Sequence, residues 1–331
     1  MSLNQTIRYC TTADGVRLAY AVSGEGPPMV KAANWFGHLE LEWRGKVWGP
    51  WLREFSSKRR LIRYDVRGTG LSERFPEKVS FDLFVSDLEA VVEAARLERF
   101  ALFGMSQGAA AAIEYALRHP ERVTHLVLFN GFSRGAAHRQ GVGQGREMVE
   151  AMCTLIRQGW GSDDPSFRQV FTTQLMPEAT AEQVDEWNRL ERESVSGEMA
   201  SRIFHAVQTE IDLTDRLGQL KVPTLVLHSR GDRRVPFEQG RELAARIPDA
   251  RFVQVESNNH MPLVQDPGYR RALDEIDRFS GATPSRAAQL RRRALDLRRT
   301  TGEAIGTIEA STMYKLLAIG AVLATLASLI L

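Results

Sequence analysis

The stretch RFALFGMSQGAAAAIEYAL, Arg99 to Leu117, passes from an apolar strand pattern through Gly-Met-Ser-Gln-Gly directly into an alanine-rich helix pattern. Small residues on both sides of a serine allow a turn sharp enough to push its hydroxyl out above a sheet, which makes Ser106 a candidate nucleophile. The N–H of the following residue, Gln107, then points at the oxyanion that develops when a carbonyl is attacked. A serine hydroxyl is a poor nucleophile at neutral pH, so it needs a histidine base and a carboxylate that fixes the tautomer of that base. Of the seven histidines, His38, His119, His125, His138 and His205 precede the penultimate strand pattern and His228 ends it. His260, in VESNNHMPL, follows the last strand pattern and is the candidate base. Asp232, in LHSRGDRRVP, follows the Thr224 to His228 run directly and is the candidate acid.

Those residues need a scaffold of strands alternating with helices, which predicts a mostly parallel sheet with helices on both faces. Short apolar runs at Met29 to Ala33, Leu61 to Tyr64, Phe100 to Phe103, Leu126 to Phe129, Thr224 to His228 and Phe252 to Val255 read as its strands. An antiparallel start is expected at Ile7 to Thr11 and Val16 to Ser23 around the turn signal Asp14-Gly15. Phe81 to Ala95 and Gln107 to Arg118 read as crossover helices. Between about 132 and 220 the pattern is helical, with methionines and aromatics among many charges, and reads as a lid inserted after a strand.

The chain has 331 residues, 43% hydrophobic and 25% charged, with a formal net charge of +2. Residues 284–331 carry seven basic and three acidic side chains, leaving 36 basic against 38 acidic before them. A body so close to neutral, without clustered Lys and Arg, argues against nucleic acid as a partner. Cys10 and Cys153 are too few for a disulfide framework, and neither lies in a metal-ligand spacing. No metal and no cofactor is expected. The N-terminal residues lack a charged segment followed by an apolar core, so no secretory signal is read there. Residues 284–312 read as an arginine-rich juxtamembrane helix or linker. Residues 313–331 read as a single C-terminal transmembrane helix, about 28 Å long. Its basic flank would keep the body on the cytoplasmic side. An oligomerisation helix on a soluble enzyme is the other reading of this tail.

The elbow GMSQG, the loop YDVRGTGLS, the acid motif GDRRVP and the histidine motif NNHMPL together resemble the α/β-hydrolase superfamily over nearly all of residues 1–283. The segments IRYCTTADGVRLAYAVSGEGPP and VKAANWFGHLELEW resemble, more narrowly, hydrolase modules of bacterial signalling proteins fused to cyclase or helix-turn-helix domains. Neither partner domain is seen here. The resemblance implies Ser106, Asp232 and His260 as a triad, with Asp65, Arg67 and Gly68 as scaffold. The loop AANWFGH should supply the second oxyanion donor, the N–H of Trp35 by position. Most relatives have His-Gly where this chain has Ala33-Asn34, and asparagine tolerates the left-handed backbone region that glycine adopts there. The expected activity is hydrolysis of an ester or thioester of a small or acyl substrate, on a membrane-tethered enzyme. The alternative is a non-catalytic module that binds a small molecule in signalling at the membrane.

Overall fold

The computed structural model describes residues 4–281, apart from 142–144, 161, 163 and 165. The arginine-rich segment and the apolar run expected at 284–331 lie outside the described residues. Among the described residues, no helix is long and apolar enough to cross a membrane.

In chain order the elements are β1 (Gln5–Thr11), β2 (Arg17–Ser23), β3 (Pro28–Lys31), α1 (Leu39–Arg44), α2 (Trp48–Ser56), β4 (Arg60–Tyr64), α3 (Phe81–Ala94), β5 (Phe100–Met105), α4 (Gln107–Arg118) and β6 (Val123–Phe129). There follow α5 (Arg146–Gly159), α6 (Ser166–Leu175), α7 (Ala181–Ser194), α8 (Gly197–Glu210), β7 (Thr224–Ser229), α9 (Phe237–Arg246), β8 (Arg251–Val255) and α10 (Pro267–Phe279). The eight strands form one sheet in the order β1-β2-β4-β3-β5-β6-β7-β8. β1 and β2 are antiparallel, β2 meets β4 antiparallel, and the rest are parallel. β5 and β7 are buried at every residue, which is why they read as unbroken apolar runs: helices cover both faces of a parallel sheet. The hairpin turns where Asp14-Gly15 places it, with Gly15 at φ 88° and its N–H donating to the Thr12 carbonyl.

Strand order reverses at β3, which lies between β4 and β5. Loops leaving the carboxyl ends of β3 and β5 therefore diverge, and such a crevice is where an open α/β sheet accepts a ligand. The insertion after β6 is helical as expected, α5 to α8, with a base pinned by an isolated bridge between Arg134 and Asp212 and by Leu213 N–H donating to the Ser133 carbonyl. Its tryptophans Trp160 and Trp187 and its Met176 are buried in the main core. The lid is thus packed down rather than hinged free, and Gly70 N–H donates to the Ser194 carbonyl across that contact.

The turn after β4 carries the scaffold residues. Arg67 is fully buried and bonds both Asp87 and Asp14, tying the β1–β2 hairpin to α3. Gly68 has φ 85° and sits against Met199 of the lid. Asp65 accepts the N–H groups of Leu39 and Leu71, yet burial, the largest influence, pushes its carboxyl up to about 7. A carboxyl raised in the folded state favours folding while protonated, so stability falls as pH rises between about 4 and 7. Asp65→Asn, which keeps an acceptor for those N–H groups, should flatten that fall by a few kcal/mol of unfolding free energy, at about 1.4 kcal/mol per pH unit. Urea unfolding at pH 4.5 and 7.5 measures it, and parallel profiles for both proteins would refute it.

Candidate functional site

Ser106 joins β5 to α4 with φ 54° and ψ −124°, a conformation that L residues rarely hold. Its N–H donates to the Phe129 carbonyl and its own carbonyl accepts from Ala109 N–H, which locks the turn between β6 and the first turn of α4. The flanking glycines are there for space. A Cβ on Gly108 would lie 2.9 Å from the Ala33 carbonyl oxygen, and one on Gly104 would run into the backbone of Gly108 and Ala109. That close approach sets the start of α4 against the loop leaving β3. Gln107 is the first residue of α4, where the N–H has no carbonyl one turn back to bond.

The β3 loop places Trp35 beside Ser106, where both line one cavity together with Gln107. Trp35 is half-buried and its indole packs edge-on against Phe36 and Trp160, so it is a cavity wall as well as part of an aromatic cluster. One expectation is corrected here. Asn34 is not among the residues with positive φ, so an ordinary backbone conformation serves and no left-handed tolerance is involved. Its side-chain oxygen is instead buried without a hydrogen-bond partner.

His260 and Asp232 meet as the chain order suggested: His260 Nδ1 lies 2.7 Å from Asp232 Oδ2. Asp232 is held from the other side, because Oδ1 accepts the N–H groups of Arg234 at 2.8 Å and Val235 at 2.9 Å. Neighbouring arginines do not draw it into an exposed ion pair; its side chain is fully buried. The two asparagines beside His260 bond elsewhere: Asn259 holds Asp266, and Asn258 holds Glu178. Ser106 and His260 line a second, smaller cavity of about 30 Å³ with Asn34, Trp35, Leu175 and Trp187. His260 Nε2 is buried and has no hydrogen-bond partner, so the link from Ser106 to the imidazole is not closed. Such bonds are commonly long before substrate binds.

Three features around this pair had no prominent signal in the sequence. His228 Nε2 lies 3.6 Å from Asp232 Oδ2 and 3.0 Å from the Val235 carbonyl, and burial first, then His260, lowers its pKa, so a neutral imidazole packs beside the carboxylate. The lid reaches in as well, since His260 N–H donates to the Leu175 carbonyl at 2.8 Å. Asn130, at the end of β6 with φ 46°, donates through Nδ2 to the His260 carbonyl at 2.6 Å and to Ser229 Oγ at 3.0 Å. Its Oδ1 accepts from Ser229 N–H at 2.7 Å. An asparagine that ends a strand in Leu-Phe-Asn-Gly is the only cue.

Asn130 bridges β6, β7 and the His260 loop, which gives it the place of a positioning residue for His260. Asn130→Asp keeps the acceptor for Ser229 N–H but sets an oxygen against the His260 carbonyl. If His260 is the base of an ester hydrolase, as the sequence predicts, hydrolysis should lose about 10- to 100-fold in kcat, with KM little changed, because a displacement near 1 Å at the base costs on that order. A loss confined to KM would contradict this role.

The larger cavity, about 60 Å³, is walled by lid residues Met148, Met152, Phe171 and Phe204 and contains two arginines, Arg139 and Arg234. Among the described residues, no group of three or more His, Cys, Asp or Glu side chains could hold a metal ion.

Comparison with known proteins agrees with this architecture. Residues 35–267 match the model of a family described as the alpha/beta hydrolase fold. An AB hydrolase superfamily protein, YisY of Bacillus subtilis, is 29% identical over 259 residues, 76% of this chain and 91% of that protein. A putative carbamate hydrolase, RutD of Caulobacter segnis, is 30% identical over 227 residues, 66% of this chain and 81% of that protein. Among solved structures, an esterase from Exiguobacterium antarcticum superposes with a TM-score of 0.72 at 21% identity, covering 83% of this chain and 99% of its own. With the reversed strand order at β3, the strained serine turn after β5 and a family match over residues 35–267 that includes that turn, the chain belongs to the α/β-hydrolase fold family.

Proposed function

We propose that this chain is a serine hydrolase acting on a carboxylic ester or thioester. Ser106 Oγ attacks the acyl carbon as its proton passes to His260 Nε2, while Asp232 holds the Nδ1 proton and steadies the imidazolium. The N–H groups of Gln107 and Trp35 receive the oxyanion. Collapse breaks the bond to the leaving oxygen or sulfur, which takes the proton from His260. Water then adds to the acyl-enzyme through the same base, releasing the acid and restoring Ser106. The observation that carries this reading is that a serine in a strained strand-to-helix turn shares a cavity with a histidine whose far ring nitrogen is bonded to a buried aspartate. The names esterase and carbamate hydrolase among similar proteins agree with attack at an acyl carbon.

The test is labelling of the full chain with a fluorophosphonate, the adduct being located by mass spectrometry. The expected adduct is on Ser106, absent in Ser106→Ala and much slower in His260→Ala. A folded protein that stays unlabelled would overturn the reading and favour the second one, a small-molecule-binding module. The unclosed link at His260 Nε2 is the observation on that side.

The proposal extends to a tether. Residues 313–331 contain a run free of charge from Leu316 onward, preceded by six arginines between 286 and 299, and suit a single span with the hydrolase body on the cytoplasmic side. Sedimentation of the full chain with membranes, lost on truncation after residue 283, tests it.

A further inference from the structure

Arg139 and Arg234 stand out among the walls of the larger cavity because, among the described residues, no acid pairs with them directly. Neither makes an ion pair among the described residues, whereas Arg134 beside them is taken by Glu242. Arg139 Nε and Nη1 are buried without a hydrogen-bond partner. Arg234 uses one nitrogen, Nη1, on Gln174 Oε1 at 3.3 Å. Each guanidinium lies over an aromatic ring, Arg139 5.2 Å from the centre of Phe132 and Arg234 5.4 Å from that of Phe204. Those rings fix the two cations in place without satisfying their N–H groups. The carboxylate nearest in charge, Asp232, already has both oxygens engaged by His260 and by two backbone N–H groups. Burial, followed by the charges of Arg234 and Arg134, lowers Arg139 to about 10, as expected of a cation set beside others in a desolvated pocket. An anion that enters this cavity would relieve that repulsion and pair with donors that have no other use.

The two cavities that meet at Ser106 differ in what else they contain. The smaller one holds His260, which must return its proton to the leaving group, so the leaving group belongs on that side. The larger one holds Gln107 and the arginines but not His260, so it takes the acyl portion. Arg139, Arg234 and Ser106 line this one small cavity, which favours a short acyl portion between the reacting carbonyl and the anionic group.

We propose that Arg139 and Arg234 bind a carboxylate on the acyl portion of the substrate, making the preferred substrate class the monoester or monothioester of a short dicarboxylic acid. This rests on the serine-hydrolase reading above. Ser106 Oγ bonds to the ester carbon, the bond to the alcohol oxygen breaks, and the alcohol leaves with the proton from His260. Water then releases the dicarboxylate, and the second carboxylate remains on its arginines unchanged throughout.

The experiment compares monomethyl succinate with methyl 4-methylpentanoate, in which an isopropyl group replaces the carboxylate at equal size. Hydrolysis by the full chain is followed by pH-stat, with Ser106 labelling by fluorophosphonate measured in parallel. The anionic ester should be hydrolysed with kcat/KM at least tenfold above the uncharged one. That ratio should fall roughly tenfold to hundredfold in Arg139→Met and in Arg234→Met, mainly through KM, since charge-assisted pairs are lost. Arg139→Lys should restore part of it. A wild-type preference for the uncharged ester, or a ratio unmoved by both methionine variants, would overturn the proposal. So would inertness to both esters while Ser106 labels normally. Absent labelling and absent hydrolysis together would instead remove the serine-hydrolase reading on which the proposal stands.

Discussion

Ser106→Gly should abolish ester hydrolysis and raise the melting temperature of the body at the same time. In the mechanism proposed, loss of Ser106 removes the acyl-enzyme route, and in enzymes of this chemistry that costs roughly 10⁴-fold or more in kcat. The gain in stability has a separate source. Ser106 sits at φ 54° and ψ −124°, where a side chain costs on the order of 1–3 kcal/mol and glycine pays nothing for sterics. Glycine returns about 0.5–1 kcal/mol of this through the greater entropy of its unfolded chain. The net is roughly 1 kcal/mol in favour of the folded state, or about 2–4 °C for a body of this size. Ser106→Ala is the discriminating control, because it is as inactive but keeps a Cβ in the strained turn, so its melting temperature should stay near that of the unmodified protein. Calorimetry on the three proteins checks it. If alanine and glycine melt together, the turn stores no strain that the side chain feels.

Asp232→Asn should lower kcat about 10³- to 10⁴-fold while leaving the fold intact. The carboxylate is held by two kinds of contact. Oδ1 accepts from Arg234 and Val235 N–H, and Oδ2 faces His260 Nδ1. An asparagine keeps its oxygen where two N–H groups demand an acceptor, which turns its amide nitrogen toward the imidazole. That nitrogen is a donor, so Nδ1 must accept and the ring proton moves to Nε2. A protonated Nε2 cannot take the proton of Ser106, and catalysis is lost through the wrong tautomer rather than through misfolding. His228 gives no rescue, since its own Nε2 is directed at the Val235 carbonyl. Two measurements decide it: kcat on a short ester, and the imidazole nitrogen shifts of His260 by NMR. A variant within tenfold of the unmodified protein would show that Asp232 does not set the tautomer.

The candidate residues of the site were legible because each follows an apolar strand of the parallel sheet, and two of those strands, β5 and β7, are buried on both faces. A strand of that kind announces itself by composition, and the residue just past its end stands at the carboxyl edge of the sheet whatever else the chain does. Ser106 after β5 and Asp232 after β7 are of this type, whereas β8, at the edge of the sheet, is buried only at alternate residues and His260 was placed by chain order after it. The strand bounds followed for the same reason, within a few residues. Trp35 was reachable only by its place in the loop after β3, and the proposed role of Asn34 as a left-handed residue did not survive, because loop dihedrals depend on what the loop packs against.

What pattern could not reach are the contacts between segments far apart in the chain. Asn130 is one strand-end asparagine among many polar residues until β6, β7 and the His260 loop converge on it. The Leu175 carbonyl that holds His260 belongs to a lid helix whose placement no periodicity specifies. Arg139 and Arg234 read as surface charges, the usual state of arginine, and become a feature of the cavity only because the lid closes over them and, among the described residues, no acid pairs with either. Local physics, the burial of an apolar strand and the strain of a turn, was enough to pick out Ser106, His260 and Asp232 as the candidate nucleophile, base and acid. The shape and charge of the space beside them arise where distant segments meet, and only the folded chain sets that.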